Sequence, residues 1–390
     1  MASNTLTSLV PTMYEALDIV SREMVGMIPA VTQNNTAERA ALNQTIMVPI
    51  APPIALVANT PGTTAPNAAG QVIGNVSMAI TKSFSAQIPW TGEEQRGQIN
   101  AGSYGKLLIN QFAQGFRALT NQIETDLWAV THTNASRAYG TPGTAPFGVA
   151  GDLSDIAQVR KILDDNGAPQ TDLQLCVGSA AMANLRGKQN VLFKVNEAGT
   201  EQLLREGIIG RLEGMDIRNS AAVATVTSGT GASYTTDAAG YLVGDTTITL
   251  ITGTGTILTT DSVTFAGDTN KYSVASTLSA PGTLNLAAPG LRKAISAAAT
   301  AVAVGTAAVR NVAFSRSAIM LVTRPPAMPV GPDGKAMDMA DDTLMIQDPK
   351  TGMSFEVAVY RQYHQLAYHI RLAWGVQNIK TQHCAILLGS

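Results

Sequence analysis

Apolar residues along the chain follow three different spacings. Near the start, Met13, Leu17, Val20 and Met24 fall at i, i+4, i+7 and i+11, which predicts an amphipathic helix over residues 7–31. Thr12 and Glu15 fit a capping box for it, and Gly26 followed by Pro29 marks its end. A single helix at a chain end needs a surface to cover, either its own core or a neighbouring copy.

Residues 45–90 change to period two. Val76, Met78, Ile80, Phe84, Ala86 and Ile88 alternate with small or polar residues and predict one long strand. TIMVPIAPPIALVA supplies a second strand, and NTPGTTAPNAAG between them reads as a tip without core residues. A two-stranded arm is marginal alone and should lie on another surface. Pro49, Pro52 and Pro53 suit an edge that must not pair without limit.

The helical period returns over 103–131, where Leu108, Phe112, Phe116, Leu119, Ile123, Leu127 and Val130 step by three or four. At 1.5 Å per residue such a helix is roughly 40 Å long. From 152 to 225 helices and strands alternate. Leu153, Ile156, Val159 and Leu163 mark a helix ending before Gly167, and LQLCVG reads as a buried strand. Ser179 can cap AAMANLRG, and MDIRNSAAV reads as a strand.

Composition shifts at about residue 226. Residues 226–309 hold seven charged residues in 84, against 47 in the other 306. Within them TTITLI, DSVTFAG, KYSVAST and GTLNLAA alternate between turn signals, which predicts a small all-β barrel or sandwich. An insertion joined by two surface linkers explains its position, because the α+β pattern resumes at AFSRSAIMLVTRP. The last eighty residues are rich in strands, FEVAVYRQY and AYHIRLAWGVQNIKTQHCAILLG, with PVGPDGKAMDMADD as a loop.

Charged residues make up only 14% of the chain, and net charge is −2. So little charge leaves a weakly polar surface that burial against further copies would cover. The balance opposes a dedicated nucleic-acid binder, which carries a basic face. Cys176 and Cys384 sit in apolar runs and read as two buried thiols in a reducing compartment. The first twenty residues lack the basic start and apolar core of a signal peptide, and no run of eighteen apolar residues could span a membrane. Synthesis in the cytoplasm is the expectation.

Catalytic chemistry finds no foothold. His132, His364, His369 and His383 form no metal-binding spacing and read as surface or strand-end residues. Gly229, Gly231, Gly253 and Gly255 read as turn glycines rather than a phosphate loop, and Gly334-Lys335 lacks the spacing of one. Asp333, Asp338, Asp341 and Asp342 share a loop but match no calcium motif, which favours a solvated loop or an inter-subunit contact. Glu93 and Glu94 read as a charged turn before the long helix. No catalytic, cofactor-binding or metal-binding residue is assigned.

The order of these parts resembles the major capsid proteins of tailed bacteriophages, with their Hong Kong 97-type fold. The β insert resembles that of the P twenty-two-like coat proteins. The stretches that carry the likeness are TLTSLVPTMYEALDIVSREMVGMIPAV, LRGKQNVLFKVNEAGTEQLLREGIIGRLEGMDIRNSAAV, GDTTITLITGTGTILTTDSVTFAGDTNKYSV and AFSRSAIMLVTRPPAMP. The resemblance implies an α+β fold with an N-arm at 1–44, an E-loop at 45–95 and a P-domain with its spine helix at 96–150. An A-domain at 151–225 and an inserted β-barrel domain at 226–310 follow, and 311–390 return to the A- and P-domains.

It also implies self-assembly as pentamers and hexamers into an icosahedral shell built in the bacterial cytoplasm. Implied partners are a scaffolding protein, a portal protein at one vertex and double-stranded DNA near the inner surface, with a decoration protein as a further candidate; no membrane and no enzyme activity are implied. The N-terminal helix and the arm are then the segments expected to repack on shell expansion, and the insert is expected to stabilise the subunit or a contact between capsomers. The crosslinking chemistry of the fold's namesake is not assignable, since Lys82 has no partner by motif. The competing expectations are a secreted adhesin or surface-layer protein, a bacterial nanocompartment shell, and an unrecognised enzyme.

Overall fold

The computed structural model describes residues 6, 9–21, 25–36, 38–50, 56, 61, 74–189, 210–332, 337–349 and 351–390. In chain order these form α1 (Val10–Ser21), β1 (Thr32–Asn35), β2 (Thr45–Ile50), β3 (Gly74–Ala79), β4 (Lys82–Thr91), α2 (Gly92–Asn100), α3 (Tyr104–Thr133) and β5 (Arg137–Tyr139). Next come α4 (Ser154–Asp165), β6 (Leu173–Val177), α5 (Ser179–Lys188), β7 (Arg211–Leu212), β8 (Met215–Asn219) and β9 (Thr225–Val226). A run of short strands follows: β10 (Ala232–Thr236), β11 (Thr247–Thr254), β12 (Ser262–Phe265), β13 (Lys271–Ser273), β14 (Gly282–Asn285) and β15 (Ala301–Val304). The chain closes with β16 (Ala308–Ser315), β17 (Ile319–Arg324), β18 (Asp342–Gln347), β19 (Ser354–Gln362), β20 (Gln365–Asn378) and β21 (Cys384–Gly389). The fold is α+β.

The long helix α3 organises the largest core. Its 30 residues span about 45 Å at 1.5 Å per residue. Leu108, Phe112, Phe116, Leu119, Ile123 and Leu127 are all buried along one stripe, as their spacing predicts. They lie on a mixed sheet ordered β1-β17-β20-β19-β18. On one flank of the fourteen-residue β20, β19 and β17 share its length; on the other runs β4. Phe116 meets Phe355 edge-on at 5.1 Å and Phe112 meets Tyr368 at 5.4 Å, geometries that aromatic pairs favour. Gly115 brings helix and sheet close, since a Cβ there would lie 2.7 Å from Ile370 Cδ1.

A second core lies between α4, α5 and the sheet β5-β21-β16-β6-β8-β7. β6 is buried at all five positions, so LQLCVG is the buried strand its composition predicts. A third core belongs to residues 232–304 and contains Tyr234, Ile248, Leu250, Val263, Phe265, Tyr272 and Leu284. Here the strands run β14-β11-β10-β15-β12-β13. The two ends of that run meet: Ala275 N–H donates to Asn285 O and Ala287 N–H donates to Ser273 O, each at 2.8 Å.

Several expectations need correction. The N-terminal helix is α1 alone, and Thr12 is its third residue, too far inside to cap it. Pro11 in the first turn fixes the start instead, because its ring presets the helical φ where no N–H is required. Nor does α1 need another copy: Met13, Ala16, Leu17 and Val20 are buried in the largest core. The long strand over 76–88 is two strands. At the break Ile80 N–H donates to Gln44 O and Thr81 N–H donates to Trp374 O, passing the chain from one sheet to another.

Glu93 and Glu94 open a helix, α2, with a complete capping box made by Thr91 and Glu94. Ser179 is the first helical residue of α5 and caps nothing; Gly178 precedes it. The stretch PVGPDGKAMDMADD ends at β18, which begins on Asp342. Residues 226–309, expected to join the rest by two linkers alone, are also held by pairing of β13 with β5 through Lys271–Ala138 and Tyr272–Arg137. Most of the arm's tip and the stretch 190–209 lie outside the described residues.

Candidate functional site

Charged groups recur where one part of the chain is fastened to another. The first such place is the root of the arm. Among the described residues β2 and β3 form a two-stranded sheet with no third strand. Its two faces differ: Met78 is buried and Ile46 packs on Ala40, Ile80 and Ala373, whereas Met47 on the opposite face is 67% exposed. Where β3 passes into β4, Lys82 Nζ donates to Asp126 Oδ1 of α3 at 2.7 Å. Trp374 Nε1 of β20 donates to Asp126 Oδ2 at 2.9 Å. One carboxylate thereby fixes the arm's first body strand to the long helix and the central strand. Gly375 lies against the Ala79 carbonyl, and a Cβ there would collide with it.

A second fastening lies deeper on α3. Glu124, 3% exposed, accepts hydrogen bonds from the Gly26, Met27 and Ile28 amides and from the Ser220 hydroxyl. Burial pushes its carboxyl above the usual carboxylate range, and those four bonds oppose the push.

One turn further on, Trp128 Nε1 donates to Arg310 O at 2.9 Å and stacks on His132, ring centroids 4.1 Å apart. The Arg310 guanidinium donates to Thr260 O, tying the β-rich segment 232–304 to the end of α3. Burial lowers the His132 pKa to about 4 and lowers that of Arg310, while burial raises Asp261 beside it. On the other side of the insertion Arg137 pairs with Asp165 at 2.9 Å, and Arg292 donates to Asp165 O at 2.7 Å.

The third place is the outer face of the mixed sheet. Arg39 and Arg371 both pair with Glu356, at 2.7 and 3.0 Å. Arg371 also meets Asp338, which accepts from Tyr360 Oη at 2.7 Å. Asp341 pairs with Arg361, and Asp342 accepts from the Leu6 amide. The aspartates expected in a solvated or inter-subunit loop therefore serve contacts within the chain, with Asp333 outside the described residues.

The other residues weighed for chemistry are dispersed. His132 and His383 are buried rather than superficial; His364 sits in the β19–β20 turn, and His369 stacks on Tyr360 at 4.7 Å. Cys176 and Cys384 are both buried free thiols; burial raises both, Cys384 to about 12. Gly253 and Gly255 have positive φ, and Gly229 N–H donates to Asp261 within the insertion. Gly334 and Lys335 lie outside the described residues. Among the described residues no cluster of His, Cys, Asp and Glu could hold a metal, and no helix is long and apolar enough to cross a membrane. Sequence reasoning missed Glu124, Asp126 and Arg310. Each is a lone charge in an apolar period, and only the fold supplies its partners.

No protein-family model matches the chain, and no curated protein matches it. Solved structures do resemble it. The capsid structure of the cyanophage P-SCSP1u is 11% identical, with a TM-score of 0.48, covering 93% of this chain and 86% of that one. A structure from Mycobacterium phage Che8 is 14% identical at a TM-score of 0.43, covering 88% and 84%. A virus-like particle from Pyrococcus furiosus is 8% identical at 0.44, covering 98% and 100%.

Proposed function

We propose that this chain is the major capsid protein of a tailed bacteriophage, a non-enzymatic subunit that assembles as pentamers and hexamers into an icosahedral shell around the genome. The observation that carries it is the β2–β3 ribbon. It is two strands wide, has Met47 exposed, and is rooted in the body by the Asp126 clamp. A ribbon of that width gains stability only by lying on a further surface. The body covers the Ile46 and Met78 face but places no described strand beside either edge, so the edges and the Met47 face are left for another copy.

The parts take the following roles. Residues 1–44 are the N-arm, 45–95 the E-loop and 96–150 the P-domain with α3 as its spine. Residues 151–225 form the A-domain, 226–310 the inserted domain, and 311–390 the return to the A- and P-domains. The two hydrogen bonds joining the ends of the β14–β13 run support a small closed barrel for the insertion. The Arg310 and Arg137 contacts support a bracing role for it, which matches the stabilising role that its independent composition suggests.

Many modest contacts per subunit suit a shell, because each can dissociate and correct errors before closure. Assembly would take place in the bacterial cytoplasm with a scaffolding protein, a portal at one vertex and double-stranded DNA inside, and without a membrane. Electron microscopy of the chain expressed with and without its scaffolding protein tests this. Closed shells are the expected result; uniform monomers under both conditions refute it.

A further inference from the structure

Glu124 is a charged side chain in the buried stripe of α3, and nothing in the proposed assembly uses it. Its four donors come from two segments about a hundred residues away on either side. Gly26, Met27 and Ile28 donate their amides at 3.3, 2.9 and 2.7 Å, and Ser220 donates its hydroxyl at 2.6 Å. Consecutive amides converging on one anion form a nest, a preferred anion-binding arrangement of backbone. All four donors satisfy the ionised carboxylate, and a buried charge is tolerated only when it is paired and hydrogen-bonded.

An independent observation points to the same place. A Cβ on Gly26 would lie 2.5 Å from the Asn219 carbonyl oxygen, so only glycine lets this segment reach the Asn219–Ser220 turn. Upstream lies α1, twelve residues long, whose buried side is Met13, Ala16, Leu17 and Val20. A helix of that length is marginal by itself and depends on what holds it in place.

We infer that Glu124 is a latch: it holds Gly26–Ile28 against α3 and the Ser220 turn, and breaking it frees α1 from the body as a unit while α3 and both sheets stay folded. The latched and released arrangements are two positions of one short segment about a fixed point, the hinge element a switching subunit needs. It concerns the single chain and holds whether or not shells form.

Hydrogen exchange on the purified full-length chain tests it, comparing wild type with Glu124→Gln and with the milder Ser220→Ala. Gln keeps the size of Glu but turns an N–H₂ toward the nest. In Glu124→Gln we expect amide protection over 10–21 and 26–28 to fall ~100-fold, while 108–120 of α3 and 366–376 of β20 stay within ~3-fold. Ser220→Ala should lower 26–28 by about 10-fold with the same spatial restriction. Unchanged protection over 10–21 and 26–28 in Glu124→Gln overturns the latch, and so does a loss spread equally over α3 and β20. If Glu124→Gln does not fold, Ser220→Ala decides on the same readouts, and an unchanged or evenly spread profile there overturns it as well.

Discussion

The N-terminal helix and the arm have the same character in sequence, each an amphipathic element with an apolar face and no evident place to put it. They end differently. α1 lays Met13, Ala16, Leu17 and Val20 into the core beside α3, with Met13 and Ala16 completely covered. The β2–β3 ribbon keeps Met47 exposed and has no third strand among the described residues. A helix closes its own backbone hydrogen bonds and needs only one groove, which α3 offers. A ribbon leaves an open edge on each side; here Ile46 and Met78 turn toward the body, while the Met47 face stays exposed and no described strand pairs with either edge. The comparison moves the need for a partner from two segments to one.

Removing side chains from α1 should have the largest effect. Met13→Ala with Leu17→Ala should cost the isolated chain about 5 kcal/mol, since each leaves a cavity in a close-packed core. Urea unfolding measures it, and a loss below about 1 kcal/mol would return α1 to the company of the arm.

Next comes the far end of α3. His132 is neutral when folded, with its pKa lowered to about 4, but titrates near 6.5 when unfolded. The unfolded chain therefore binds the extra proton between those values, and stability present above pH 6.5 is lost as pH falls toward 4. The loss is about 3 kcal/mol for the full shift. Wild type and His132→Gln, melted across that range, should differ by this slope; identical pH profiles would exclude His132 as its source.

A smaller effect belongs to the arm's root. Asp126→Ala strands Lys82 and the buried Trp374 N–H and should cost about 1–2 kcal/mol. Exchange should rise at β4 more than at β19, and equal change in both would show that Asp126 does not anchor the arm specifically. Least of all should come from Met47→Ser, below about 0.5 kcal/mol in the isolated chain because the site is already exposed. The same change should lower shell yield in the microscopy above; unaltered shells would remove Met47 from the contact.

How much of this could be read in advance depended on whether the signal was periodic. The α3 stripe is a repeating pattern and β6 a continuous apolar run, and both are buried as those signals predict. The capping box shows the limit of motif reading. Thr12–Glu15 and Thr91–Glu94 carry the same spacing, yet only the second caps a helix, because Pro11 had already set the first helix's start. The fastening residues left no periodic trace. Glu124 and Asp126 are two apart on α3 and face different partners, one the N-terminal segment and Ser220, the other Lys82 and Trp374. Those partners are assembled from opposite ends of the chain, so long-range pairing had to exist before either acid acquired meaning. The strands β10 and β15 were missed for a related reason: their Ala- and Thr-rich sequences carry weak alternation, and neighbouring strands supply the order.

The seat of Gly375 against Ala79 gives the ribbon a stiff stem. A six-residue strand reaches about 20 Å, so a tilt of about 10° at the stem carries the far end some 3–4 Å sideways. A grip on the ribbon's outer end therefore works through leverage on the strand that crosses the body's largest core, and a bulky residue at 375 would take the stiffness out of that connection.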